Sequence, residues 1–288
     1  MIMAENHDPA AADSYPRQPT ASEKAALLES FPQLDFANVW ITAPQTQVYN
    51  CIAWSLGIDT KWINPPQPLS KFIDFYRGYG YPVDYQNRVV DGWGLLITTM
   101  THGSKVYTGV SVGVSGLWES KLGASFRITH AEAGLGGPVY GSILISFGAS
   151  PGMRRGSEDM KGKVPMLSHN EVESIRELAR QVAEETRRTY EKAFADWKRT
   201  WFSGPTLFSS DTRDLALCPE FGILASMGEE IIPLVLESLL QAENFPALVL
   251  YDTIQGKREL TVAPEEIAPE EGEQDRAVRA IQKWLEKR

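Results

Sequence analysis

The sequence predicts an α+β domain in the N-terminal half of the chain and an all-α domain in the C-terminal half. Helix signals fill the first eighty residues, segments rich in β-branched residues follow between residues 93 and 147, and long helical patterns begin near residue 167. Helices followed by a meander in one compact half are typical of an antiparallel sheet packed on the early helices. We therefore expect a disordered tail at 1–19, the α+β domain at 20–150, a linker at 151–166 and the helical domain at 167–288.

Composition narrows the class of protein. The 288 residues are 43% hydrophobic, which is enough to bury a core and close to the size at which chains divide into two domains. The net charge of -9 disfavours a partner held through its phosphates, so we expect no nucleic acid. The chain has no run of eighteen apolar residues and no signal-peptide pattern, so we expect no membrane contact. Two cysteines, Cys51 and Cys218, cannot form a disulfide framework, which favours a reducing, cytoplasmic location.

The first three helices are predicted from their start signals. Thr20 and Glu23 have the spacing of a capping box, which indicates a short helix that Pro32 ends. Asn50 is an N-cap type residue before CIAWSLGI and predicts the second helix. Ser70 is expected to cap the third helix. Together these signals make the first eighty residues appear helical.

The later elements follow from changes of pattern. The predicted strands are LLITTM, KVYTGVSVGV, LWESKLG, SFRITH and VYGSILISF, which glycines separate. Residues 151–166 have no apolar period and are rich in glycine and charge, as linkers are. Ser168 and Glu171 then form a second capping box, which predicts one long helix to Trp201. Three more helices are expected near 229–240, 243–255 and 272–288, and their paired arrangement is typical of helical solenoids, although no clean repeat period is visible.

Cys51 is the candidate nucleophile. It follows the expected cap Asn50, so its sulfur would lie in the first turn of a helix, where free backbone N–H groups favour a thiolate. A nucleophilic cysteine also needs a base, and only His102 and His130 lie in the predicted sheet. His102 is preferred because it follows LLITTM at an expected turn, from which its imidazole can project toward the helix start.

Other polar residues could complete this site. Glu119 is preferred as the group that orients the imidazole, because a carboxylate also stabilises the imidazolium, and its neighbour Ser120 would point to the opposite face of the strand. The Cys51 backbone N–H could donate to a developing oxyanion, and Gln45 or Gln47 could supply a second donor. Trp54 and Trp118 are the aromatic residues expected to line a substrate pocket, with Trp62 nearby.

The strings YNCIAWSLG, MTHGS, GLWESKLG, RITH and VYG resemble the signature of an uncharacterised family of fungal and bacterial proteins. That family is similar to a papain-like branch related to bacterial cell-wall amidases, in which a helix-start cysteine precedes the histidine in the chain. The resemblance covers residues 35–148. It implies that Cys51 is the nucleophile and His102 the base, and it leaves Glu119, Ser120 and His130 as alternatives for the third member. A second stretch, from residue 218 to the C-terminus, resembles HEAT-type helical repeats.

Each candidate has a simpler structural interpretation. A lone cysteine in an apolar helix is often a small buried hydrophobic residue. His102 could be a turn histidine bonded to backbone carbonyls, Glu119 could be a solvated surface charge, and His130 could be a core histidine. Cys218 has no nearby basic partner in the sequence and is expected to be inert.

The sequence therefore supports two hypotheses. The first is an enzyme in which a thiolate attacks an amide or thioester carbonyl of a small molecule or peptide, and water or an amine resolves the acyl-enzyme. The second is a non-catalytic module that binds a ligand on the same fold, with the helical half as a surface for a protein partner. No metal-ligand spacing and no nucleotide or redox signature is visible, so no metal and no cofactor are expected.

Overall fold

A computed structural model of the chain describes residues 14–94, 100–109, 115–150, 165–201, 203–268 and 271–288. The N-terminal half is an α+β unit, as expected, with one six-stranded antiparallel sheet in the order β1-β5-β4-β3-β2-β6. The strands are β1 (Ile41–Ala43), β2 (Val90–Trp93), β3 (His102–Val106), β4 (Trp118–Lys121), β5 (Arg127–His130) and β6 (Ile143–Phe147). The helices of this half are α1 (Ala21–Ser30), α2 (Cys51–Ser55) and α3 (Leu69–Gly78).

Helices cover the sheet on both faces. The short helix α2 and the helix α3 pack on one face at β2 and β3, where glycines allow close approach. A Cβ atom added at Gly103 would lie 2.8 Å from the Tyr76 hydroxyl and 3.0 Å from the Ser55 hydroxyl. On the other face, α1 contributes Leu27 to a core that also contains Phe31 from the end of that helix. Because successive side chains of a strand point to opposite faces, neighbouring residues of β3 face two different cores.

Several predicted elements of this half need correction. The capping box of α1 and the Asn50 cap of α2 are confirmed, but α3 begins after Pro68 and has no side-chain cap, so the prediction for Ser70 is wrong. Strand β1 lies within the region predicted to be helical, because three residues are too few to show a period. Most of the predicted strand LLITTM, residues 95–99, lies outside the described residues.

The C-terminal half is helical, as expected. Its helices are α4 (His169–Arg180), α5 (Glu184–Thr200), α6 (Pro219–Ser226), α7 (Ile232–Ser238), α8 (Ala247–Ile254) and α9 (Glu273–Lys287). The capping box at Ser168 is confirmed, but the single long helix predicted after it is interrupted at residues 181–183 and forms α4 and α5. None of the helices in the described part of the chain combines the length and the apolar character that a membrane span requires.

The two halves touch over an extended surface. The Lys61 ammonium lies 2.9 Å from the Asp275 carboxylate of α9, and the Gln274 amide donates to the Val48 carbonyl at 3.0 Å. Phe208, which follows α5, packs in the same core as Phe31 of the N-terminal half. Part of the expected tail is also ordered, since residue 17 pairs with β1. Of the predicted linker, residues 151–164 lie outside the described residues.

Candidate active site

Cys51 begins α2, as the sequence predicted. The Asn50 side-chain oxygen accepts a hydrogen bond from the Ala53 backbone N–H at 3.1 Å, which is the N-cap geometry. The helix is only five residues long, and its first residue is fully buried between the sheet and the chain that covers it. The thiol is therefore held at a defined position but has no access to solvent.

Two groups contact the Cys51 sulfur. The Gly103 backbone N–H of β3 donates to Sγ at 3.3 Å, and the Ser210 hydroxyl lies 2.7 Å from Sγ. Gly103 belongs to the predicted site region, directly after His102. Ser210 belongs to the segment between α5 and α6, more than 150 residues further along the chain. The helical half therefore closes the thiol site of the N-terminal half.

The expectation of a stabilised thiolate is wrong for this conformation. Burial raises the pKa of the Cys51 thiol to about 11, although the hydrogen bonds from Ser210 and Gly103 and the positive charge of Lys121 act in the opposite direction. The desolvation of a fully buried sulfur outweighs the favourable groups of one short helix start. At neutral pH the proton stays on the sulfur.

His102 is the first residue of β3 and does not lie at a turn. Its Nε2 is 2.9 Å from the Ser120 hydroxyl of β4, and its ring stacks on Tyr140 with 4.0 Å between the ring centroids. The side chain is fully buried. Burial, with a smaller contribution from His130, holds the pKa of His102 well below its usual value, so the imidazole is neutral at pH 7.

His130 extends this arrangement. The Ser120 hydroxyl lies 2.8 Å from His130 Nε2, and His130 Nδ1 lies 2.7 Å from the Ala131 carbonyl oxygen. Burial lowers the pKa of His130 to about 4, against the opposing effect of the Ala131 carbonyl, so this imidazole is neutral as well. His102, Ser120 and His130 thus form a buried hydrogen-bonded series across three neighbouring strands.

The Ala131 carbonyl determines the direction of the protons in this series. A carbonyl only accepts, so His130 carries its proton on Nδ1 and accepts at Nε2 from the Ser120 hydroxyl. The Ser120 oxygen then accepts from His102 Nε2–H, which leaves His102 Nδ1 as an unprotonated lone pair. Among the described residues this buried nitrogen has no hydrogen-bond partner. His102 is therefore held in the tautomer that can take a proton at Nδ1.

The Cys51 sulfur and His102 Nδ1 are not hydrogen-bonded to each other. The sulfur binds the backbone of Gly103, whose own face of the sheet carries α2 and Tyr76. The His102 side chain points to the other face, where Ser120 and Tyr140 lie. A Cys51–His102 hydrogen bond is not formed in this conformation, because the sulfur is directed to Gly103 and Ser210.

Glu119 does not take the place predicted for it. Its carboxylate accepts from the Thr42 hydroxyl at 2.6 Å and lies 3.2 Å from the Arg127 guanidinium, on the sheet face opposite Ser120. Because successive residues of a strand alternate between faces, only one of Glu119 and Ser120 can reach the His102 ring, and that residue is Ser120. Of the two residues, Ser120, which the sequence left as an alternative, contacts the His102 imidazole, and the preferred Glu119 does not.

Cationic side chains lie against the two tryptophans that were predicted to line a substrate pocket. The Lys105 ammonium and the Arg127 guanidinium lie 3.5 and 3.9 Å from the Trp54 ring centroid, and the Arg88 guanidinium lies 5.3 Å from that of Trp118. Neither tryptophan lines the small cavity between the two halves, whose lining includes Gln47, Trp62, Ser209 and Thr212.

The predicted glutamine donors do not reach the thiol. Gln45 is exposed, and the Gln47 side-chain oxygen is buried without a hydrogen-bond partner in the described part of the chain. Instead, Asn50 Nδ2 and Trp62 Nε1 each donate to the Ser210 carbonyl oxygen at 2.9 Å. The Trp62 role was missed, because nothing in KWINPP distinguishes an indole that donates from one that only packs.

Lys121 is a second residue that the sequence reading missed. Its side chain is fully buried, and Nζ donates to the carbonyl oxygens of Thr46, Gly123 and Ser125 at 2.9, 2.7 and 2.6 Å. Burial lowers the pKa of Lys121 to about 7. Three acceptors match the three N–H groups of an ammonium, so this side chain ties the loop before Asn50 to the turn after β4. The sequence feature that could have indicated this role is the string SKLG, which places a lysine within a predicted strand.

The described residues contain no group of three or more His, Cys, Asp or Glu side chains arranged to hold a metal ion. Residues 40–148, less than half of the chain, match a family described as "Domain of unknown function (DUF7689)". Comparison with curated proteins and with solved structures gave no match. The matched region contains Cys51, His102, Ser120 and His130, whereas Ser210 lies outside it.

Proposed function

We propose that this protein is a cysteine-dependent hydrolase or acyltransferase with a papain-like N-terminal half, acting on an amide or thioester bond. Cys51 is the nucleophile, His102 is the base, and Ser120 and His130 hold the base in one tautomer. The observation that carries the proposal is the series His102–Ser120–His130, which ends on the Ala131 carbonyl and leaves a lone pair at His102 Nδ1.

The unpaired nitrogen at His102 Nδ1 supports a role beyond packing. Buried polar atoms in folded proteins are almost always hydrogen-bonded, and an unpaired one costs about 1–3 kcal/mol. Here Ser120 and His130 are fully paired, and the single unpaired nitrogen of the series is the one that could accept a proton. A catalytic role, in which the partner arrives with the substrate, is one explanation of an unpaired buried group.

The proposed reaction needs a conformational change, because the thiol and the base lie on opposite faces of the sheet. Once this change brings the Cys51 thiol to His102 Nδ1, the imidazole takes the thiol proton. The sulfur then forms a bond to the substrate carbonyl carbon, and the carbonyl oxygen becomes an oxyanion. His102 returns the proton to the leaving amine or thiol as the bond to it breaks, which gives an acyl-enzyme. Water or an amine, deprotonated by His102, then releases the acyl group and restores the free thiol.

A second function is favoured by a different observation. Cys51 is fully buried, its pKa is raised to about 11, and its sulfur contacts Ser210 rather than His102. These features also fit a non-catalytic module on the same fold, in which the cysteine is a packing residue and the helical half binds a protein partner. The two functions differ in whether an acyl group ever becomes attached to the sulfur.

The test is incubation with a small peptidyl thioester, followed by mass spectrometry of the Cys51 peptide and measurement of the released thiol. We expect an acyl adduct on Cys51, no turnover in Cys51→Ala, and turnover lowered about 100-fold or more in His102→Gln, since general bases contribute on that order. Cys218→Ala is the matched control and should keep full turnover. Turnover that persists in Cys51→Ala, or an adduct on Cys218 alone, would refute the proposed nucleophile.

A further inference from the structure

The segment Leu207–Thr212 crosses the thiol site where one 3-10 helix, Gly204–Phe208, ends and the next, Thr212–Ala216, begins, and residues 209–211 join the two. Ser209 has φ -70° and ψ 144°, and Asp211 has φ -107° and ψ 114°, both in the extended region. The segment begins in the core shared with Phe31 and ends at Asn64, with Ser210 directly over Cys51. It therefore follows the path that a peptide substrate would need in order to present a carbonyl to the sulfur.

The N-terminal half binds this segment mainly through its backbone. The Leu207 carbonyl accepts from the Ala124 N–H at 2.9 Å, and the Phe208 carbonyl accepts from the Tyr140 hydroxyl at 2.9 Å. At the far end, the Thr212 N–H donates to the Asn64 side-chain oxygen at 3.0 Å. Recognition through backbone groups is how proteins bind extended peptides, because such bonds do not depend on the peptide's sequence.

The Ser210 carbonyl occupies a two-donor pocket beside the thiol. Asn50 Nδ2 and Trp62 Nε1 each donate to it at 2.9 Å. The Asn50 amide is held rigidly, because its second N–H donates to the Ile63 carbonyl at 2.6 Å and its oxygen accepts from the Ala53 N–H. Two fixed neutral donors on one carbonyl oxygen, next to a cysteine, are the arrangement that stabilises an oxyanion.

Glycine is required where the segment passes closest to the turn after β4. A Cβ atom added at Gly123 would lie 2.5 Å from the Leu207 carbonyl oxygen, and Gly123 has a φ of 52°. The side chain of Phe208 meanwhile fills a pocket against Phe31, with 5.1 Å between the ring centroids. The groove thus accepts an aromatic side chain two positions before a small residue at the thiol.

We propose that Leu207–Thr212 is an internal pseudosubstrate that occupies the binding groove for a peptide whose central residues are extended at the thiol. Asn50 and Trp62 hold the carbonyl that Cys51 attacks, and the preferred substrate is a peptide with an aromatic residue two positions before a small one. This inference rests on the proposed function. In the resting chain the Ser210 hydroxyl contacts the sulfur in place of the base, so reaction requires the segment to leave and a substrate peptide to take its position.

The test measures how fast iodoacetamide alkylates Cys51 in the full chain. Ser210→Leu places a larger side chain where the hydroxyl now lies 2.7 Å from Sγ, and it should displace the segment. We expect alkylation of Cys51 to rise about tenfold or more, as follows from the loss of one or two net hydrogen bonds. Ser203→Leu, at an exposed serine four residues before Leu207, is the matched control and should leave the rate unchanged.

The peptide acetyl-LFSSDT-amide, added at millimolar concentration to the Ser210→Leu variant, should bring the rate back toward that of the wild type. A peptide with the same residues in an order that moves phenylalanine away from the second position should protect more weakly, because it loses the pocket that Phe208 fills against Phe31. Unchanged alkylation in Ser210→Leu, or no protection by the LFSSDT peptide, would overturn the pseudosubstrate and leave the segment as an ordinary contact between the halves.

A milder variant covers the case in which Ser210→Leu does not fold, which its thermal melt would reveal. Asn64→Ala removes the two bonds to Thr212 without changing the segment, and it should raise alkylation in the same direction. Peptide protection is independent of His102, so it should persist in Ser210→Leu/His102→Gln. Protection without thioester turnover would support the peptide groove and refute the proposed enzymatic function. Turnover without protection would support the enzymatic function and refute the peptide groove.

Discussion

The protonation of Cys51 in the resting chain can be tested without a substrate. Burial raises the pKa of this thiol from 9.0 to about 11. Two pKa units correspond to about 100-fold less thiolate at any pH below 9. Since only the thiolate reacts with iodoacetamide, the wild-type chain at pH 7.5 should alkylate Cys51 much more slowly than Cys218, which is partly exposed.

The assay is a time course of alkylation at several pH values, with the two cysteine peptides quantified by mass spectrometry. Denaturation in urea should remove the difference, because the Cys51 thiol is then no longer buried. Faster labelling of Cys51 than of Cys218 in the native wild type would refute the reasoning, because it would show that the helix start and Lys121 dominate over desolvation.

The same pKa shift predicts an effect on stability. The folded state binds the Cys51 proton more tightly than the unfolded state, so this contribution is fully present below pH 9 and is lost as the pH rises toward 11. A shift of this size amounts to about 3 kcal/mol. The free energy of unfolding of the wild type should therefore fall by up to this amount relative to Cys51→Ala between pH 9 and 11. Parallel curves for the two proteins would contradict the shift.

Three further predictions concern the surroundings of the site. Gly103→Ala should lower the free energy of unfolding by about 1–3 kcal/mol, because its Cβ would lie 2.8 Å from a hydroxyl oxygen, whereas Gly78→Ala meets no atom within 4 Å and should cost nothing. Lys121→Met should cost about 3 kcal/mol in urea denaturation, roughly 1 kcal/mol for each carbonyl that loses its donor, and the exposed Lys71→Met is the control. In nitrogen NMR spectra of the wild type, His102 should be protonated only at Nε2 and His130 only at Nδ1. Ser120→Ala should disturb the signals of both rings. An imidazolium at either of these two histidines at pH 7 would count against the assigned tautomers.

Local signals were sufficient for the elements that begin with a cap. The capping boxes at Thr20 and Ser168 and the Asn50 cap involve residues within three positions of one another, so their geometry depends little on the rest of the chain. Strand β1, by contrast, is three residues long and exists because it pairs with β5, far along the sequence. Such short strands are decided by their partners and carry no period of their own.

The sequence predicted part of the arrangement of the site residues on the two faces of the sheet. Alternation along β4 predicted that Glu119 and Ser120 face opposite sides, which the structure confirms, but the side that His102 occupies could not be read from the strand alone. The preference for Glu119 rested on the chemistry of carboxylates. The register of β3 against β4 instead placed the Ser120 hydroxyl beside the imidazole.

The amino-acid sequence by itself determined the α+β half followed by helices, the cap before Cys51 and the choice of His102 and His130 as the histidines of the sheet. Only the tertiary structure decided that the thiol is buried and protonated, that Ser120 joins the two histidines, and that Ser210 closes the site. The physical reason is the separation along the sequence over which each interaction acts. Caps and periods act within a few residues, whereas burial and the contact between Cys51 and Ser210 join parts of the chain 159 residues apart.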